Sequence, residues 1–189
     1  MKDHVRFALW ALCSLCPLCF ALGAAAQQKI VKEKSAIRFV TRQMNVPVEG
    51  AFRRFDGTVA FDPARPAATK AQFTVDIGSI DLGTEEGEAE AKRKPWLDLA
   101  AFPTAKFVAA SVKPLDANRF EATGPLTVKG SSHEITASFT VTEGKDLRIV
   151  EGQFPLKRLQ FRIGEGPWSD TETVADEVLV KFRFAVPTH

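Results

Sequence analysis

The feature that most constrains this chain is a two-residue hydrophobic rhythm that recurs in eight runs between Ser35 and Val186. Phenylalanine and aliphatic residues hold one parity: Ile37 and Phe39; Phe55, Val59 and Phe61; Phe73, Val75 and Ile77; Phe182, Phe184 and Val186. Lys, Arg, Asp, Glu, Thr and Gln tend to hold the other. Period two sends alternate side chains to opposite faces of a strand. Eight such strands predict an all-β fold, an eight-stranded antiparallel barrel. A barrel of that size can enclose one apolar ligand.

The runs place strands at 35–40, 49–61, 69–78, 105–113, 120–128, 133–142, 147–156 and 176–186. Residues 43–48, with Pro47, read as a connection. The second run is long for one straight strand, and Gly50 and Gly57 read as bends or bulges. Short polar links at 116–118, 129–132 and 143–146 suit antiparallel neighbours and are too short for parallel crossovers. One short helical insert falls between strands three and four, over 84–94. Thr84 is its N-cap, Glu85, Glu86, Glu88 and Glu90 complement its start, and Lys92, Arg93 and Lys94 its end, before Pro95. It reads either as a solvated surface helix or as a lid beside a barrel mouth.

Residues 1–26 have the pattern of a cleaved secretory signal: Lys2 and Arg6, an apolar stretch from Leu9 to Leu22, then Ala24, Ala25 and Ala26. The domain therefore spans 27–189, and the chain is expected to be secreted. All three cysteines, Cys13, Cys16 and Cys19, lie in the signal. The mature chain must then hold together by its core rather than by disulfides. The net charge of +2 is spread among interspersed acids and bases. No basic stripe is available for phosphates, which argues against nucleic acid as a partner. Fifteen Phe against no Tyr suits an oily interior better than a sugar-binding cleft.

Chemistry-bearing motifs are sparse. After residue 26 the histidines are His133 and His189, too few for a metal site without neighbouring ligands, and no metal or catalytic cofactor is expected. There is no nucleophile elbow, P-loop or dinucleotide fingerprint. Asp76 and Asp81 flank Ser79-Ile80 and come nearest to a catalytic carboxylate pair, but they read as turn caps and surface ion pairs.

Six strings occur in order: Ser35-Ala36-Ile37-Arg38-Phe39; Val48-Glu49-Gly50-Ala51-Phe52-Arg53-Arg54-Phe55-Asp56-Gly57; Val75-Asp76-Ile77-Gly78-Ser79-Ile80-Asp81-Leu82-Gly83; Phe102-Pro103-Thr104-Ala105-Lys106-Phe107; Gly124-Pro125-Leu126-Thr127-Val128-Lys129-Gly130; and Gly152-Gln153-Phe154-Pro155-Leu156-Lys157-Arg158. In order and spacing they resemble the YceI-like family of secreted, lipocalin-like proteins. The resemblance covers the chain from about Lys29 onward. It implies an extended eight-stranded lipocalin-like barrel around a polyisoprenoid, such as a prenyl quinone or polyprenyl phosphate, and residence in the bacterial periplasm. The string from Phe161 to Asp170 resembles one branch of the family, for which a membrane cytochrome b is an implied partner.

The apolar parity nominates Ile37, Phe39, Phe55, Val59, Phe73, Val75, Phe107, Leu126, Val128, Ile135, Phe139, Phe154, Phe182 and Phe184 as lining. Arg38, Arg53 and Arg54 are candidates for a head group, because guanidinium forks suit phosphate oxygens. Trp96 and Trp168 lie in the two long loops, where they could rim the mouth or touch a membrane. The expected function is a lipid carrier without catalytic turnover. The alternatives are an enzyme using Asp76, Asp81 or His133 within the same cavity, and a filled-core module docking on a membrane cytochrome b.

Overall fold

Alternation does produce strands, and two of the eight runs break. The computed structural model describes residues 27–188; the signal segment and His189 lie outside the described residues. The strands are β1 (Gln28–Lys29), β2 (Ala36–Gln43), β3 (Val46–Phe52), β4 (Phe55–Ala60), β5 (Lys70–Asp76), β6 (Ile80–Asp81), β7 (Thr104–Val108), β8 (Ser111–Pro114), β9 (Arg119–Val128), β10 (Ser131–Glu143), β11 (Leu147–Lys157) and β12 (Glu177–Pro187), with one helix, α1 (Glu85–Ala91). All pair antiparallel in one curled sheet of order β1-β4-β5-β7-β9-β10-β11-β12-β2-β3-β6, with β8 on β9. The barrel-like, all-β architecture is as expected. Among the described residues the strand count is twelve rather than eight, because two runs divide and two short strands join.

The first break, at Arg53 and Arg54, lets one stretch of chain serve both ends of the sheet. β3 pairs with β2, and β4 pairs with β5. Ser79, which is buried, stitches the step: its hydroxyl accepts from the Arg54 amide at 2.9 Å and its carbonyl from the Arg53 amide at 3.1 Å. The bend thus falls at the arginines. Gly50 and Gly57 are neither bends nor bulges; they sit inside regular ladders opposite Phe39 and Phe73.

The second break is a bulge. Phe107 pairs with Leu126, yet Ser111 pairs with Thr123, so the β7–β8 side carries one additional residue. Such an insertion bends a strand and increases its twist. Gly124 lies beneath it, where a Cβ would fall 2.9 Å from the Ala110 nitrogen and closer still to the Val108 carbonyl.

The N-terminal strand closes the seam at one end. The Ile30 amide donates to Gly57 on β4 at 3.1 Å, and the Val31 amide to Ala185 on β12 at 2.8 Å. Residues 43–48 are not a loop. Met44 (φ 47°) and Asn45 (φ 63°) make a two-residue turn between β2 and β3, the I′ geometry whose twist matches a hairpin. Thr84 caps α1, its hydroxyl accepting from the Gly87 amide at 3.3 Å; the helix ends at Ala91, before the basic run.

Replacing Gly124 with Ala is expected to destabilise the protein by about 1–3 kcal/mol through overpacking against backbone. A urea midpoint unchanged from wild type would show that the bulge has slack.

Candidate functional site

The inward faces of the strands enclose a cavity of about 600 Å³, within the range of about 300–1,000 Å³ usual for small-molecule sites. One end is stoppered. Phe61 meets Phe120 edge-on at 5.2 Å, Phe120 stacks on Phe139 at 5.6 Å, and Val112, Val141 and Val186 fill in around them, all buried. The other end opens. There the lining includes Gln43 and Thr84, which are both exposed, together with Glu90 of α1, Trp96 and Trp168. The helix therefore stands beside the mouth. Trp96 and Trp168 touch across it, ring centres 5.5 Å apart.

A chain with so many phenylalanines on its inward parity could have filled its own interior. Glycines opposite the rings prevent this. Phe39 faces Gly50, Phe73 faces Gly57, and both Phe182 and Phe139 face Gly152 across the ladder. A Cβ added at these glycines would lie 2.8 Å from Phe39 Cε1, 2.6 Å from Phe73 Cε1 and 2.5 Å from Phe182 Cζ. Each ring lies down on a bare Cα, the cross-strand arrangement known to rescue glycine in sheets, and occupies wall rather than lumen. Phe73 then stacks on Phe184 at 4.1 Å and Phe184 on Phe182 at 5.2 Å.

Thirteen of the fourteen nominated lining residues border this cavity. Phe55 does not; it is core packing, edge-on to Phe184 at 6.3 Å. The three arginines nominated for a head group do not reach the lining. Arg38 is exposed opposite Lys181 on the outer face. Arg53 pairs with Asp81 at 2.7 Å and Arg54 with Asp76 at 2.8 Å, all at the bend. The Arg53 hydrogen bond, with a further one from the Gly83 amide, holds the Asp81 carboxyl below the usual carboxylate range. These pairs clamp the bent strand. Asp76, Asp81 and His133 are all absent from the lining; His133 is exposed, its Nε2 2.9 Å from the Gln160 carbonyl and its ring edge-on to Phe161.

Sequence reasoning missed the polar framework of the mouth. Arg158 is 1% exposed and spends all five N–H groups on carbonyls: Nε on Ala175, one terminal nitrogen on Ile163 and Gly164, the other on Trp168 and Val174, at 2.7–3.1 Å. Five donors is the full capacity of a guanidinium. Burial pushes its pKa down, with the Asp176 charge opposing. Its carbon lies 5.9 Å from the Trp96 ring centre. Gly164 takes a left-handed φ of 77°, and a Cβ there would meet both Arg158 and Trp96. Lys129, also buried, donates to the Arg162 carbonyl at 2.6 Å and to Glu165 at 3.1 Å. Two interior cations thus tie the long loop to the rim. Only the loop's length signalled such a role. Thr41, Gln43, Val178 and Val180 also line the cavity; each shares parity with a nominated neighbour, and extending the stripe would have found them.

A sequence model of the YceI-like domain matches residues 28–186. The chain belongs to the YceI-like family. A UPF0312 protein of Pseudomonas savastanoi pv. phaseolicola is 35% identical over 131 residues, 66% of this chain and 68% of that protein. Among solved structures, BcnA of Burkholderia cenocepacia is 40% identical, with a TM-score of 0.81 over 82% of this YceI-like chain and 98% of BcnA. A polyisoprenoid-binding domain of Saccharophagus degradans implicated in plant cell wall breakdown shares the fold at 14% identity, with a TM-score of 0.70 over 86% and 98% of the two chains.

Substituting Ala at Gly50 or Gly57 is expected to turn a Phe ring into the lumen at a stability cost of only about 1 kcal/mol, since flexible ring atoms give way. Uptake of a fluorescent apolar probe should fall by more than the denaturation midpoint does; unchanged uptake would refute the pairing's role. Gly152→Ala also meets the Ser138 carbonyl at 2.5 Å and should cost more than about 2 kcal/mol. Arg158→Leu orphans five carbonyls and should destabilise by at least about 3 kcal/mol; calorimetry checks this. The Lys129 and Arg162 hydrogen bonds hold the Glu165 carboxyl below its usual range. Folding lowers this pKa, so the contribution is present above about pH 4.3 and is lost as pH falls through the lowered value. Wild type and Glu165→Gln should differ in urea midpoint at pH 7 and converge in acid.

Proposed function

We propose that this chain is a periplasmic carrier that holds one polyisoprenoid lipid in the cavity and does no chemistry on it. The observation that carries the reading is the combination of a stoppered end, an apolar lining and a mouth rimmed by Trp96 and Trp168. A polyprenyl tail needs a continuous oily surface to cross water. Burial gains about 0.8 kcal/mol per carbon-sized unit, hence up to about 4 kcal/mol per five-carbon repeat. The net gain is smaller, because the tail loses conformers and leaves a membrane that already solvated it. The relationship to the Saccharophagus domain supports the same class of cargo.

The mouth favours a neutral head group over a phosphate. Of the cations among the lining residues, Arg158 has no N–H left to donate, and Lys106 belongs to the outward parity of β7, opposite Thr74 and Thr127. A polyprenyl phosphate would meet no free cation among the described lining residues, whereas a prenyl quinone needs none. A membrane cytochrome b is the redox partner that such a cargo would have. The position of Asp76, Asp81 and His133 outside the lining supports binding over catalysis by those groups.

The protein should be purified from the envelope of its native host and examined by native mass spectrometry, with organic extracts analysed in parallel. A prenyl quinone at near-equimolar amount is expected. Recovery of polyprenyl phosphate would refute the neutral-head reading, and recovery of no lipid would refute the carrier.

A further inference from the structure

The wall of the cavity does not stop at its mouth. On β3 the inward parity runs Phe52, Gly50, Val48 and then Val46, and on β2 it runs Ile37, Phe39, Thr41 and Gln43. Val48 and Gln43 still line the cavity. Val46 continues the stripe beyond the rim, where it is 61% exposed, and Met44 at the turn is 69% exposed. These two are the most exposed large hydrophobic residues among those described, and the exposed Pro47 adjoins them. On β3 an apolar stripe thus runs from the lumen to the exposed hairpin tip, with Thr41 and Gln43 beside it on β2.

Two further observations mark the tip as purposeful. Met44 occupies a left-handed turn position that Asn, Asp or Gly fills at less cost. Strain kept at one place points to a use for the side chain. The tip is also held rigid against the mouth loop. The Met44 amide donates to Thr173 at 2.8 Å, the Ala175 amide donates to Arg42 at 2.9 Å, and Gln43 bridges to Val174. That loop is the one fastened by Arg158. Arg42, exposed on the outer face of β2, is placed to meet lipid phosphate when the tip is inserted.

We propose that the β2–β3 hairpin tip is a bilayer-docking element: Met44 and Val46 enter the membrane surface and make a continuous apolar track along which a lipid slides into the cavity. The inference rests on the carrier reading. A bilayer is the occupant that the continuity selects, because only there does an exposed extension of the lumen spare the tail from water. Amphipathic insertion of so few side chains gives weak, reversible docking, which suits a carrier that must leave again.

The test is the rate of uptake from vesicles of phosphatidylethanolamine and phosphatidylglycerol doped with a long-chain prenyl quinone. Three proteins are compared: wild type, Met44→Asp with Val46→Asp, and Leu115→Asp. Leu115 is 52% exposed and lies beyond β8, towards the stoppered end. Asp tolerates the left-handed turn, and circular dichroism checks folding. Loading from detergent measures capacity apart from docking. The double variant is expected to take up quinone from vesicles roughly tenfold more slowly, from the loss of two apolar side chains at the membrane, with detergent loading unchanged and Leu115→Asp at the wild-type rate. Uptake by the double variant at the wild-type rate overturns the proposal and leaves the tip for a protein partner. Equal slowing by Leu115→Asp also overturns it. A wild type that loads from neither source refutes the carrier reading itself, and the docking inference with it.

Discussion

The interior depends on one kind of contact: a phenylalanine ring lying on a glycine in the neighbouring strand. Strand alternation aims every second side chain at the axis, and large aromatic residues on that parity would ordinarily interdigitate to the density of a solid core. Gly50, Gly57 and Gly152 remove the Cβ atoms that would hold the rings upright. Phe39, Phe73 and Phe182 therefore thicken the wall, and space survives along the axis. The same rings are dense where they have no such neighbour. Phe61 and Phe120 meet at the stoppered end and seal it. One residue type makes both the tube and its plug, and Phe139, opposite Gly152 and stacked on Phe120, belongs to both.

This division explains what the sequence could and could not reveal. Parity put thirteen of its fourteen nominees on the lining, because period two is imposed by backbone geometry alone, although the lining extends well beyond them. It misplaced Phe55, whose inward direction is correct but whose neighbour is Phe184 rather than the lumen. It also misread Gly50 and Gly57 as bends. Glycine in a strand signals either a kink or a close approach, and only pairing partners tell the two apart. The breaks at Arg53–Arg54 and at Ala109–Ala110 were hidden for a similar reason. Apolar residues continue through both, although the inward parity shifts from Phe52 to Phe55 and from Phe107 to Val112, and the pairings that define each break are long-range facts.

The polar groups followed a different logic. Arginines that looked free for a head group are consumed at the bend by Asp76 and Asp81. The cation that does reach the mouth, Arg158, sat unremarked at the end of a strand. Its value comes from five carbonyls presented by a loop whose path no local pattern encodes. A buried guanidinium with every donor engaged fixes geometry and offers nothing further to bind. The mouth is accordingly firm, rimmed by two tryptophans, and poor in free charge. Such a rim tolerates an oily tail with a modest head and leads outward to an apolar hairpin tip.

The most direct measurement is a crystal structure of the protein isolated from its own envelope. The account predicts one elongated stretch of ligand density from Phe139 to Gln43, with the rings of Phe39, Phe73 and Phe182 flat over their glycines. Rings rotated into the axis, meeting one another in a dry, sealed core with no room for a guest, would contradict it.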